Sequence, residues 1–205
     1  MQEGLSLAFA ALIGFGHAFE ADHLLAVSAL VAKAENQKQV WKNGFIWGLG
    51  HTSTLLLMGI LVILLQVHTL KTYFDFFELF VGVMLIILGI LRLFTHVPSK
   101  YFSEESSHDK EAYGIGLIHG LAGSGTLIIL ILANQESNWG ALSYLILFGL
   151  GSALGMALAA SLMCIPLLGR SNKRKPNPQW RRGFTWLSSL LCMAYGFYIL
   201  MSFTI

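Results

Sequence analysis

The sequence predicts an all-α membrane protein with six transmembrane helices, built as two inverted three-helix repeats. Three observations predict it: apolar runs long enough to span a bilayer, a one-sided distribution of basic residues, and an echo between the two halves. Hydrophobic residues make up 55% of the 205-residue chain and charged residues only 12%, where soluble domains carry roughly 25% charged residues. The few charges are gathered into short connections. This composition excludes an ordinary soluble domain, and it implies membrane lipids rather than nucleic acid as the surroundings.

Crossing roughly 30 Å of hydrocarbon takes about twenty predominantly apolar residues. Segments 5–32, 43–66, 74–94, 113–133, 140–169 and 183–204 meet that requirement. The expected organisation is one transmembrane domain over 1–205, with repeat one at 1–95, a connection at 96–112 and repeat two at 113–205. The first sixteen residues hold one Glu and no Lys or Arg, so no signal-peptide n-region is expected and the N-terminus should belong to the first span. Orientation follows from the basic residues. Lys33, Lys38, Lys42, Arg92, Lys100, Lys110, Arg170, Lys173, Arg174, Lys175, Arg181 and Arg182 fall on one side, and Lys71 alone on the other. The positive-inside rule then puts the charged connections in the cytoplasm and both termini outside, in what should be a bacterial inner (plasma) membrane. The basic run at 170–182 reads as part of this topology signal.

The two halves align in the same order three times. Gly14 and His17 match Gly116 and His119; Gly48, Gly50 and His51 match Gly149, Gly151 and Ser152; Leu79 and Gly89 match Trp186 and Gly196. Each repeat holds an odd number of spans, so the second copy enters from the opposite side. Such inverted repeats occur in transporters, with the site near the midplane where the copies meet. Gly-xxx-Gly pairs such as Gly151/Gly155 could pack within one chain or between copies in a homo-oligomer.

The chemistry is concentrated in the first span, where His17, Glu20, Asp22 and His23 fall within seven residues of GFGHAFEADHLLAV. A charged side chain at bilayer depth costs at least a few kcal/mol, so such residues are functional candidates by default. On a regular helix Asp22 lies about 140° from His17, and His23 about 120° the other way. Glu20 can share a face with both histidines, whereas Asp22 can join His17 only if the helix unwinds, for which Gly14 and Gly16 offer a place. The second span adds His51, followed by Thr52, Ser53 and Thr54, at a depth compatible with His23. The fourth adds His119 beside a run of small residues. Imidazoles with one or two carboxylates suit nickel, cobalt, zinc or ferrous iron; calcium and magnesium prefer an all-oxygen shell. The candidate metal-binding residues are therefore His17, Glu20, Asp22, His23, His51 and His119. No catalytic residue and no resident cofactor is expected. His68, His96 and His108 read as surface residues, and Glu78 as interfacial. Cys164 and Cys192 form no CxxC and read as small apolar residues.

The stretch from His17 to His23 resembles the His-x-x-x-x-Asp-His signature of the nickel/cobalt transporter superfamily, and Gly50-His51-Thr52-Ser53 resembles its second motif. The predicted six spans and the small-residue run after His119 are most similar to that superfamily's compact, UreH-like branch. The resemblance implies selective transport of nickel or cobalt, with His17, Asp22, His23 and His51 as ligands; Glu20 stands where the full-length branch usually has Asp. Three other classes compete; one is a small-anion exporter, for which the acids of span one make an anion a poor guest. A transmembrane thiol carrier needs a reactive Cys pair, and here spans one and four carry His and Ser instead. A haem-binding membrane protein would need an axial ligand pair and a visible Soret band. No Walker motif is present, so this chain does not itself use ATP.

Overall fold

The computed structural model describes residues 2–33, 36–65, 71–94, 105–122, 137–168 and 178–202, and everything regular in them is α-helix. The helices are α1 Gln2–His17, α2 Ala21–Lys33, α3 Gln37–Leu65, α4 Lys71–Phe94, α5 Glu105–Ala122, α6 Asn138–Leu168 and α7 Pro178–Ser202. Two begin at side-chain caps. Asn36 Oδ1 accepts from the Gln39 N–H at 2.9 Å ahead of α3, and Ser137 Oγ accepts from the Gly140 N–H at 3.0 Å ahead of α6. Each cap satisfies a donor the helix leaves open, worth about 1 kcal/mol.

Among the described residues, four helices are long and apolar enough to cross a membrane: Gln37–Leu64, Phe77–Phe94, Asn138–Leu167 and Gln179–Ser202. The surface suits an integral membrane protein. α6 exposes Ile146, Leu150, Leu154, Leu158 and Leu162 along one stripe, while Ala153, Ala157 and Ala160 are buried on the other side. Large side chains thus face outward, and small ones let the backbones close up where no hydrophobic drive exists.

Three differences from the sequence reading stand out. The first expected span is two short helices, α1 and α2, separated by residues 18–20. The fourth, 113–133, is described only to residue 122, within α5, which begins earlier, at Glu105. Third, Arg92, counted above among the connection's charges, lies inside α4 and is buried. Its guanidinium donates to Ser28 Oγ at 3.0 Å, the Ser28 carbonyl at 3.1 Å and Ser188 Oγ at 2.9 Å, tying α4 to α2 and α7. A long side chain bends back to polar atoms rather than onward to water. Both serine hydroxyls also have carbonyl acceptors within their own helices, Leu25 and Phe184, so they stay satisfied if Arg92 is removed. Replacing a buried charge by an apolar side chain of similar volume is often neutral or better. Arg92→Met should therefore leave the Tm in detergent unchanged or raised by about 2–3 °C; a fall of 5 °C would show that Arg92 is a structural anchor.

α3 sits between α5 and α6, α1 lies along α6, and α4 pairs with α7. Glycines make the closest approaches. A Cβ on Gly14 would strike the Phe148 carbonyl oxygen, and one on Gly116 the Trp47 carbonyl oxygen. Gly151 likewise meets the Ala11 carbonyl, and Gly50 that of Tyr113. In the α4–α7 pair, Gly82 faces the Gly196 carbonyl, and Gly89 that of Ser189.

Candidate metal centre

Local folding of the first span comes first. α1 ends at His17; the Ala18 amide still reaches the Gly14 carbonyl at 3.4 Å, but the two after it reach only three residues back, Phe19 to the Gly16 carbonyl at 3.0 Å and Glu20 to the His17 carbonyl at 3.1 Å. α2 then starts from Glu20, whose carbonyl accepts from the Leu24 N–H at 3.0 Å. The break falls after the glycines rather than at them. Gly14 is held in helix because it is pressed against Phe148. Asp22 thereby enters the first turn of α2, where the helix dipole favours an acid.

The break redirects His17 and His23, and their rings come together with centroids 4.4 Å apart. His51 arrives from α3, with its ring 5.0 Å from His23 and 5.6 Å from His17. His119 arrives from α5, 4.4 Å from His23. Hydroxyls fix the height of α3. Thr52 Oγ1 lies 2.9 Å from the Gly149 carbonyl of α6, and Thr54 Oγ1 donates to the Leu117 carbonyl of α5 at 2.9 Å. His51 stands just before these two anchors.

The four imidazoles are buried, three of them completely. Carboxylates hold three of the rings. His17 Nδ1 is 2.8 Å from Glu20 Oε1, His23 Nδ1 is 3.0 Å from Asp22 Oδ1, and His119 Nε2 is 2.9 Å from Asp22 Oδ2. Glu20 keeps 55% of its side chain exposed and Asp22 only 14%. The remaining ring atoms, His17 Nε2, His23 Nε2, His119 Nδ1 and both nitrogens of His51, are buried with no hydrogen-bond partner among the described residues. Unsatisfied buried polar atoms cost about 1–3 kcal/mol each, so five around one spot is an unfavourable arrangement for a cluster whose only role is packing.

Two groups have donor atoms close enough to share an ion: His17, His23 and His51, and Asp22, His23 and His119, each within 4.8 Å of one another. Nitrogen ligands about 2.1 Å from a metal lie roughly 3–4 Å apart, so small side-chain movements suffice to close either group. All six residues singled out in the sequence are in this cluster. Asp22 reaches His23 and His119 but has no hydrogen bond to His17. The sequence reading missed the cluster's walls. Trp47 stands 5.7 Å from His23 and 5.6 Å from His119, and Phe148 stands 5.4 Å from His17, ring to ring. Trp47 comes one turn before His51 on the same helix, a signal that could have flagged it; Phe148 carried none.

Of the other residues considered, Cys164 and Cys192 are free thiols buried in the apolar core, as their surroundings in the sequence predicted. Glu78 is half-buried on α4. His68, His96 and the side chain of His108 lie outside the described residues.

The chain is 34% identical over 179 residues to the urease accessory protein UreH of Bacillus sp. (strain TB-90), covering 79% of this chain and 76% of that protein. It is 25% identical to two Arabidopsis thaliana proteins, chloroplast protein FOR GROWTH AND FERTILITY 1 and 2, over 205 and 199 residues. Those matches cover 88% of this chain but only 54% and 52% of the plant proteins, about half their length. No family model matches the chain, and no solved structure matches it significantly.

Proposed function

This chain belongs to the UreH family of urease accessory proteins, and from that premise we propose that it carries a divalent transition metal, nickel or cobalt, across the membrane. The observation that carries the reading is the meeting of four buried imidazoles and two carboxylates from α1, α2, the break between them, α3 and α5, with five ring nitrogens that have no hydrogen-bond partner among the described residues. Such a donor set suits borderline metals, with zinc and ferrous iron as further guests, and suits magnesium or calcium poorly. The urease connection of the relative's name supports nickel among these. The site comprises His17, Asp22, His23 and His51, with Glu20 and His119 beside them.

The cycle we propose is a rocking of two inverted three-span repeats about this site, in an inner membrane with both termini outside the cytoplasm. Its support is a set of reciprocal contacts. Under the alignment of the two halves, the Gly14–Phe148 approach becomes Gly116–Trp47, the Gly151–Ala11 approach becomes Gly50–Tyr113, and Gly82–Gly196 becomes Gly89–Ser189. Contacts that exchange in pairs are what a twofold relation between halves requires.

The direct test is equilibrium binding of Ni2+ and Co2+ to the purified full chain, with accumulation of the same ions in cells expressing it. Binding at micromolar concentrations and accumulation above the empty-vector level are expected. Because a metal-binding imidazole must be deprotonated, affinity should fall as the pH is lowered. A protein that binds neither ion would end the proposal.

A further inference from the structure

We propose that the cargo is held by ring nitrogens alone, and that Asp22 and Glu20 are positioning residues that never touch it. This inference rests on the transport reading and assigns separate tasks to the residues of its site. A carboxylate only accepts hydrogen bonds. His23 must therefore donate from Nδ1 to Asp22, His119 from Nε2 to Asp22, and His17 from Nδ1 to Glu20. Each bond selects a tautomer and leaves the lone pair on the far nitrogen: His23 Nε2, His119 Nδ1 and His17 Nε2. All three are among the ring atoms that have no hydrogen-bond partner among the described residues.

Each oxygen of Asp22 already accepts one hydrogen bond, Oδ1 from His23 and Oδ2 from His119, so a cation set between Asp22 and the two ring nitrogens that face it would have to displace those bonds. The group formed by His17, His23 and His51 needs no such displacement, since the outward nitrogens of His17 and His23 and both His51 nitrogens have no hydrogen-bond partner among the described residues. Charge is still compensated. Asp22 stands behind His23 and Glu20 behind His17, so two negative charges lie one ring away from a dication. Carboxylates in this outer position raise imidazole basicity and hold ring orientation. Three neutral nitrogens also leave coordination positions open for entry and release. His119 anchors the far oxygen of Asp22 from α5, linking the second half of the chain to the ligands of the first.

The inference also narrows the cargo. With no oxygen in the protein's share of the shell, manganese and magnesium lose the donor they prefer, while nickel and cobalt keep theirs.

The test uses the purified full-length wild type and Ni2+, so it does not depend on a variant folding. Nickel-edge X-ray absorption should show imidazole scattering from about three histidines. Infrared difference spectra of protein carrying 13C-labelled Asp and Glu carboxyls should show no carboxylate band moving to a metal-bound position. Variants add a second arm. Asp22→Asn keeps an acceptor for His23 and should bind Ni2+ about 10-fold more weakly than wild type, whereas Asp22→Ala, which loses tautomer control, should lose about 100-fold. A metal-bound carboxylate band in the wild type, or equal losses in Asn and Ala variants that both fold, overturns the inference and leaves transport standing. A wild type that binds no nickel takes both down together.

Discussion

Cells expressing His23→Ala should accumulate no nickel or cobalt above background, although the variant reaches the membrane in normal amount. His23 is the centre of the cluster: its ring lies within 4.4–5.7 Å of His17, His51, His119 and Trp47. It belongs to both groups able to hold an ion, so no arrangement of the remaining side chains replaces it. Changes one shell further out already reduce metal affinity 10- to 100-fold, so deleting the shared nitrogen should exceed 100-fold. Folding should survive, because Asp22 keeps its bond to His119 from α5. His17→Ala and His51→Ala should lower uptake as well, each removing one nitrogen of the three. Metal uptake of wild-type size in His23→Ala, measured at equal membrane abundance, would remove the site assignment.

The second large effect is on folding. Gly116→Val should lower the Tm in detergent by roughly 5–10 °C and reduce the amount of protein recovered, from a strain of about 2–3 kcal/mol. A side chain at this position would run into the backbone of Trp47, and backbone cannot swing aside as a flexible side chain can. Gly114→Ala is the control, on the same helix two residues away, where a Cβ meets nothing within 4 Å. Equal stability of the two variants would show that α3 and α5 are not in close contact at Gly116.

Much of this was readable from residue types. Long apolar runs gave the helices, and the price of acids in hydrocarbon marked out His17, Glu20, Asp22 and His23 as a site. Helical spacing also said that Asp22 and His17 could not share a face of one continuous helix, and the chain does break between them. The place of the break was not readable. Gly14 and Gly16 looked like the weak point, but the demand on Gly14 comes from Phe148, far away in the sequence. For the same reason the pairing of Asp22 with His119 could not be foreseen; it depends on how α5 meets α2. Arg92 was misjudged because its position near the end of an apolar run suggested water, and only the packing of Ser28 and Ser188 supplies its partners.

The bond between His119 and Asp22 joins residues 97 positions apart, and this separation matters while the chain is being made. The acid is made with the earliest helices, long before its second partner has been synthesised. Until α5 is in place, Asp22 has His23 beside it and lacks His119. Chains that stop ahead of residue 119 are therefore expected to hold their first two helices less firmly than chains that extend through α5, which supplies the missing bond.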